Sequence, residues 1–335
     1  MTTPRVAIIT PTYRHARFID ACLDSVISQT IPDWELVVVD DGSDDGTPDR
    51  VRERQDGRIR LIERPHLGLV GLGAAYASGL AATTAPLVAV LEGDDLWPVQ
   101  KLEKQLPLLD EPGVVLSYGR AVLVDWSGRT YATYGRRPAG AAGLNVPTGS
   151  IARELVSNFI VASTVVVRRT ALERIGGFWQ PPGIDYVDHP TWLRLALEGR
   201  FAWCDSVMGI WRRHAGQYTT RRSVEVAPPD RRPYLREIRN LAVDKDLDLV
   251  VASLDGLIAT DAHRQTELFT LEAARLSLLA RNRTDALRLF VRYADRKRPS
   301  TVAIAGLGAL AASLGQDVEW FFRALDRFSW PSTHR

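Results

Sequence analysis

Cysteine is almost missing from this chain: two residues, Cys22 and Cys204, in 335. Two thiols cannot make a disulfide framework, so a packed core has to hold the fold, and the chain reads as one for a reducing, cytoplasmic compartment. The opening residues MTTPRVAIITPTY also lack the basic segment, apolar stretch and small-residue cleavage site of a secretory signal. Charge of one sign is not in excess either. Forty-two basic residues face 40 acidic ones, a formal net charge of +2, and that balance carries no whole-molecule signal for nucleic acid. Lysine is scarce, with Lys101, Lys104, Lys245 and Lys297 alone, and arginine supplies the rest of the basic set. No apolar run reaches the roughly 18–20 residues of a spanning helix; Thr301 to Leu314 comes nearest and holds two glycines. What is present, 45% hydrophobic and 24% charged residues, is a globular balance that excludes disorder and collagen-like repeats. At about 150 residues per domain, the length suggests two units.

The first hundred residues alternate in period. Val6 to Ile9 is a short apolar run, read as a buried strand that ends at the turn Thr10-Pro11-Thr12-Tyr13. Phe18, Ile19, Cys22, Leu23, Val26 and Ile27 then share one helical face. Further strands are expected at Glu35 to Val39, Arg58 to Glu63 and Leu87 to Leu91, with a Gly/Ala helix at Gly71 to Ala82. Alternating strands and helices with near-continuous apolar strands imply an α/β fold around a parallel sheet, whose ligands bind beyond the carboxyl ends of the strands. Beyond these lie an expected strand pair, Val114 to Val124 and Arg129 to Tyr134, a loop at Ala139 to Gly149 and a strand at Val161 to Arg168. Helices are expected at Thr170 to Ile175 and Thr191 to Glu198. From about Pro228 the pattern is helical, at Leu235 to Leu241, Leu249 to Ala259, His263 to Ala280, Arg283 to Asp295 and Val318 to Phe328. Pro228, Pro229 and Pro233 mark a boundary, so a catalytic domain at 1–225 and an α-helical domain at 226–335 are expected.

Two strand ends carry acid. Asp44 and Asp45, beside Gly46-Thr47, are read as turn and helix-cap residues. Glu92, Asp94 and Asp95 crowd up to three carboxylates into four residues, which repel unless a cation is present. Mg²⁺ and Mn²⁺ prefer such oxygen donors, and one or two protein carboxylates plus substrate phosphates are enough. A diphosphate ligand with a divalent metal is the expected occupant.

Three motifs, Thr10-Pro11-Thr12-Tyr13, Trp34 to Asp40 continuing through Asp41-Gly42-Ser43-Asp44-Asp45-Gly46-Thr47, and Leu91-Glu92-Gly93-Asp94-Asp95-Leu96-Trp97, resemble the family 2 glycosyltransferases. These are inverting enzymes of the GT-A fold that use nucleotide-sugar donors; the resemblance covers roughly residues 5–220. It implies a nucleotide-sugar pocket at Pro11, Thr12, Tyr13, Asp40, Asp41 and Gly93, with Asp40 and Asp41 on base and ribose. Asp94 would hold the metal, supported by Asp95, with Glu92 standing for the first acid of the Asp-x-Asp element. Gly176-Gly177-Phe178 followed by Val187-Asp188-His189-Pro190-Thr191-Trp192-Leu193-Arg194-Leu195 resembles the acceptor-side element, which makes Asp188 the base that deprotonates the attacking hydroxyl. Val187 replaces a glutamate there, and an N-cap is the structural alternative for Asp188. Trp211-Arg212-Arg213-His214 resembles the closing Tyr-Arg-x-His element, with Arg212 toward the diphosphate and His214 toward metal or phosphate.

Another departure concerns the helix before the metal strand, where the family often carries an Arg-Asn pair and this chain has Ala75-Tyr76-Ala77. The donor is therefore expected to be a nucleoside diphosphate sugar, a UDP sugar first among them, and the acceptor a hydroxyl, for example on a lipid-linked or cell-surface polysaccharide precursor. Two other readings exist. A catalytically inactive nucleotide-sugar-binding or scaffold member would accommodate Val187 and Glu92. A dinucleotide-binding oxidoreductase would use Gly71-Leu72-Gly73 and Glu92, against the bulky Tyr76 at the sixth position of that fingerprint. Finally, residues 281–298 hold seven basic and two acidic side chains beside aromatic-rich segments. That pattern suits peripheral contact with the inner face of a membrane, or else a solvated helix face.

Overall fold

Strand β1 (Val6–Thr12) is buried at every position, as a strand covered on both faces requires. In the computed structural model it lies at the centre of the sheet, between β2 (Trp34–Asp40) and β4 (Leu87–Val90), parallel to both. Strand β3 (Ile59–Glu63) adds in parallel to β2. The other half is antiparallel where β7 (Val166–Arg168) joins β4 to β5 (Val114–Val124). The order is β3-β2-β1-β4-β7-β5-β6, with β6 at Thr130–Tyr134, and the thirteen-residue β8 (Arg200–Arg212) pairs in parallel with β5. The structure describes residues 4–125, 128–138, 148–155, 158–214, 217 and 229–259, with 287, 288 and 309.

Alternate side chains of one strand enter different cores. Val6 and Ile8 pack with α1 (Ile19–Ile27), through Ile19, Cys22, Leu23 and Val26, the face its periodicity indicates. Ile9, Val88 and Val90 point into the second core, with Trp192, Leu193 and Tyr234. Helix α3 (Leu72–Ala81) crosses β1 closely enough that a Cβ on Gly79 would stand 2.6 Å from Ile9 Cγ2. Further helices are α2 (Thr47–Arg52), α4 (Lys101–Gln105), α5 (Arg169–Arg174), α6 (Asp188–Ala196) and α7 (Arg232–Val243), and residues 248–259 are helical where a helix at Leu249 to Ala259 is expected.

Several expectations shift. The strand expected at Val161 to Arg168 is a 3₁₀ turn at Ala162–Thr164 followed by β7. Helix α6 starts three residues before Thr191 because Pro190 falls in its first turn, where the missing N–H has no intrahelical partner to lose. Strand β8 has no clean alternation to reveal it: its register against β5 slips near Gly119 and Arg120.

The chain divides into two units, Met1–Val124, Ala132–Arg212 and Arg231–Ile258 in one and Asp125–Tyr131, Arg213–Asp230 and Ala259–Arg335 in the other. Helix α7, which lies past the expected boundary near 225, groups with the first unit by burying Tyr234, Leu235, Ile238 and Ala242. The boundary itself, the loop at 139–147, the three later helices and the basic segment with its apolar neighbour at 301–314, apart from residues 287, 288 and 309, lie outside the described residues. Among the described residues no helix is long and apolar enough to cross a membrane.

Gly79→Val forces bulk against Ile9. We expect a loss of about 1–3 kcal/mol in urea unfolding, with far-ultraviolet circular dichroism unchanged.

Candidate active site

Parallel pairing puts the ends of β1, β2 and β4 side by side. Thr12 is level with Asp40 in register, and Gly93 N–H donates to the Pro11 carbonyl at 3.1 Å. The motifs at Pro11 to Tyr13, Asp40-Asp41 and Glu92 to Asp95 therefore converge on one edge of the sheet, although 80 residues of chain separate the first from the last. Gly93 is required by that convergence: a Cβ there would lie 2.6 Å from Thr12 Oγ1 and 2.8 Å from His15 Nδ1.

Most of the acids at this edge have their own donors. Asp40 accepts the Ser43 N–H at 2.8 Å and the Ser43 hydroxyl at 2.6 Å, closing the turn after β2. Asp41 fastens the segment after β3: its carboxylate accepts the N–H groups of Leu67 and Gly68 and meets His66 Nδ1 at 2.8 Å. His66 in turn stacks on Tyr13, centroids 4.0 Å apart and planes 15° from parallel. Neither Asp44 nor Asp45 is the cap residue of α2, a position held by Gly46: Asp44 pairs with Arg14, and Asp45 accepts from Ala16 and from the N–H and hydroxyl of Thr47.

Asp95 is 1% exposed and its two oxygens are both taken, Oδ1 by the Arg212 N–H at 2.9 Å and Oδ2 by the Ser163 hydroxyl at 2.5 Å. Burial, then the charge of Asp94, pushes its carboxyl well up. Asp94 is 4% exposed, with His15 Nε2 3.9 Å from its Oδ2. The Arg212 guanidinium donates to the Asp94 carbonyl at 2.9 Å and lies over the Phe18 ring, so its structural role is direct. Glu92 Oε1 accepts the Tyr76 hydroxyl. Burial, then the charges of Asp94 and Asp188, raise Glu92 to about 8 against the opposing pull of that bond. Among the described residues no group of three or more His, Cys, Asp or Glu side chains is arranged to hold a metal. His214 falls in the second unit.

Asp188 is the first residue of α6, with Val187 at the cap position, so it stands inside the first turn instead of capping a later helix. Its Oδ2 accepts Asn158 Nδ2 at 2.5 Å, and the Asn158 amide oxygen is itself held by the Ile160 N–H at 3.2 Å. Burial raises the Asp188 carboxyl, opposed by the His189 N–H and by Asn158. The next residue anchors the helix. His189 Nε2 donates to the Leu155 carbonyl at 2.6 Å, which leaves Nδ1 to accept from the Tyr234 hydroxyl of α7 at 2.9 Å. One neutral tautomer satisfies both bonds. Burial, then the charge of Arg231, lowers His189 to about 3.

His15, His66, Asn158 and Ser163 were not legible as site residues. None lies in a pattern that one chain segment displays; each matters because another segment folds against it.

Two measurements check this architecture. Ser163→Ala removes the one donor to Asp95 Oδ2 seen among the described residues and should cost about 1–3 kcal/mol in urea unfolding. For His189, the unfolded chain takes up a proton near its ordinary value of 6.5, whereas the folded state resists until about 3. Stability is therefore complete above about pH 6.5 and declines as pH falls toward 3. His189→Gln should flatten that slope relative to the wild type, read as the difference between two urea series across pH.

The fold and these residues have relatives. The model of the family described as "Glycosyl transferase family 2" matches residues 7–176. The chain is 31% identical over 201 residues to TuaG of Bacillus subtilis (strain 168), a glycosyltransferase named for teichuronic acid biosynthesis, covering 58% of this chain and 73% of TuaG. It is 33% identical over 120 residues to WfgD of Escherichia coli, named as a UDP-Glc:alpha-D-GlcNAc-diphosphoundecaprenol beta-1,3-glucosyltransferase, covering 36% of this chain and 47% of WfgD. Among solved structures, residues 1–349 of S. aureus TarS in complex with UDP-GlcNAc superpose with a TM-score of 0.62 at 18% identity, over 96% of this chain and 92% of that one. The mannosyltransferase PcManGT of Pyrobaculum calidifontis, in complex with GDP-Man and Mn²⁺, gives 0.54 at 21% identity over 98% and 85%. With its family 2 motifs on the edge of a GT-A sheet, this chain belongs to glycosyl transferase family 2 and is a glycosyltransferase.

Proposed function

We propose that the chain moves a sugar, with inversion, from a nucleoside diphosphate donor, a UDP sugar first among them, to a hydroxyl of a lipid-linked glycan precursor. The observation that carries this reading is the setting of Asp188: a half-buried carboxylate at the start of α6, held by Asn158 through one oxygen and within electrostatic reach of the Glu92 end of β4. Inversion needs one such carboxylate. It takes the proton of the acceptor hydroxyl while that oxygen attacks the anomeric carbon from the face opposite the departing diphosphate. Asn158 fixes the carboxylate orientation, and the shelter that raises Asp188 also makes it a stronger base than a solvated aspartate.

The donor's nucleotide is assigned to the edge formed by Pro11, Thr12, Tyr13, Asp40 and Asp41, its diphosphate to Gly93, Asp94 and Arg212. A divalent cation, Mg²⁺ or Mn²⁺, would supply neutralisation of the charge that builds on the leaving diphosphate. Asp94 is the residue that would hold it. Asp95 is spent on Ser163 and Arg212, Glu92 on Tyr76, and one protein carboxylate with phosphate oxygens suits these hard cations. The WfgD name, a UDP-Glc donor and a diphosphoundecaprenol acceptor, supports the choice of donor and acceptor.

Asp188→Asn should lower sugar transfer at least about 10³-fold and leave UDP affinity within about twofold, by product assay and calorimetry; undiminished transfer would remove Asp188 from the chemistry. Asp94→Ala should reduce transfer at least as far and abolish the Mn²⁺ dependence of UDP binding. Because the base acts deprotonated and burial raises it, kcat/KM should rise with pH through a limb above the ordinary carboxylate range. Release of nucleoside diphosphate across UDP, GDP and dTDP sugars identifies the donor.

A further inference from the structure

One of the four lysines is wholly buried. Lys101, the first residue of α4, is 0% exposed and makes no ion pair among the described residues. An amine taken out of water with no carboxylate beside it costs stability, and burial pushes this one well below its ordinary range. Its partners are neutral: Nζ donates to Gln105 Oε1 and, at 3.2 Å, to the Thr164 carbonyl, and it stands 4.7 Å from the centre of the Trp97 ring. The cleft chemistry derived above makes no use of it, so what the amine holds in place is the question it poses.

Three side chains of one segment converge on the 3₁₀ turn at Ala162–Thr164. Trp97 Nε1 donates to the Ser163 carbonyl at 2.7 Å, while Lys101 Nζ and Gln105 Nε2 donate to the Thr164 carbonyl at 3.2 and 3.0 Å. Lys101 and Gln105, four residues apart, share a face of α4, and Gln105 Nε2 also meets Ser117 Oγ of β5 at 3.2 Å. The two carbonyls precede the paired residues of β7, which begin at Val166, so they lie outside its ladder and side chains meet them instead. On its other side the turn reaches the acids. The Ser163 hydroxyl accepts the Glu92 N–H at 3.1 Å and donates to Asp95 Oδ2 at 2.5 Å. One hydroxyl thus holds the residues on both sides of Gly93-Asp94.

We propose that Trp97, Lys101 and Gln105 are positioning residues for sugar transfer: by gripping the carbonyls of Ser163 and Thr164 they set the Ser163 hydroxyl, and through it the loop that presents Asp94 to the cation and the donor diphosphate. This deepens the function proposed above and rests on its assignment of the cation to Asp94. All three side chains are buried and act through the turn. A donor lost from the Thr164 carbonyl lets the turn shift, Ser163 then no longer meets the Glu92 N–H and Asp95 Oδ2 together, and Asp94 loses its fixed place. The buried amine is retained at a cost to stability because a methylene chain of the same length would fill the space and leave that carbonyl with one donor fewer.

The test separates positioning from bulk stability. Wild type, Lys101→Met, Gln105→Glu, Ser163→Ala and the double variant Lys101→Met/Ser163→Ala are compared by calorimetry of UDP binding without metal and across a Mn²⁺ titration, with urea unfolding to establish the folded fraction, and by kcat and acceptor KM. Gln105→Glu leaves the amine an acceptor while turning an oxygen toward the Thr164 carbonyl, so it reports on the grip even if Lys101→Met disturbs folding. Expected in both is a rise of about tenfold in the Mn²⁺ concentration that half-saturates its effect on UDP binding, with a lower kcat, and with metal-free UDP affinity and acceptor KM within twofold of wild type. Adding Lys101→Met to Ser163→Ala should move the Mn²⁺ requirement less than twofold further, because both act on one hydroxyl. A loss of stability with the Mn²⁺ requirement unchanged in the folded variants would overturn the proposal, and so would effects that multiply in the double variant. A wild type whose UDP affinity ignores Mn²⁺ would instead bring down the assignment of the cation to Asp94, and the proposal with it.

Discussion

The buried carboxylate of Asp95 is the point on which the site depends. It joins three pieces of chain that meet nowhere else in this way: the end of β4, the 3₁₀ turn through Ser163 and the end of β8 at Arg212. The same serine accepts the Glu92 N–H at 3.1 Å, and its carbonyl accepts the Trp97 indole N–H at 2.7 Å. Arg212 closes the circuit on the Asp94 carbonyl. A carboxylate taken out of water costs several kcal/mol unless its lone pairs are met, so the three segments hold one another in the arrangement that meets them. Asp94 inherits its place from that arrangement.

The acids around the cleft are accommodated by division of labour. Asp40 closes a turn, Asp41 binds the segment after β3, Glu92 meets Tyr76, Asp95 ties the strand ends and Asp188 is held by Asn158. Each of these five carboxyl groups has a dedicated donor, so none of the five depends on a shared counter-ion for its place. Helix α7 contributes from a distance. Through Tyr234 and His189 it pins the start of α6, which fixes where the Asp188 carboxylate stands relative to the rest of the cleft.

Much of the parallel half of the fold could be read from its residues. Val6 to Ile9 and Trp34 to Asp40 are apolar enough to be strands buried on both faces, and the Ile19-Cys22-Leu23-Val26 face was visible at helical spacing. The antiparallel half was harder. Residues 161–165 look like a strand because Val161 and Val165 are apolar, yet Ser163 leaves the extended path for a turn to reach Asp95. Strand β8 hides its alternation behind slips in register around Gly119, whose missing Cβ admits Met208 and the carbonyls of Cys204 and Ser206.

By itself the amino-acid sequence determined the class of fold, the family and which strand ends carry the acids, because apolar period and motif spacing are local properties that survive without coordinates. Only the tertiary structure decided what each acid does. Asp94 and Asp95 are adjacent letters with the same side chain, and the Asp95 carboxylate is consumed by Ser163 and the Arg212 N–H while the Asp94 carboxylate lies near His15. Ala75-Tyr76-Ala77 reads as the loss of the family's Arg-Asn pair until the Tyr76 hydroxyl is found on Glu92. A carboxylate's role is set by which donors surround it and how far water is excluded, and those neighbours come from segments tens of residues away.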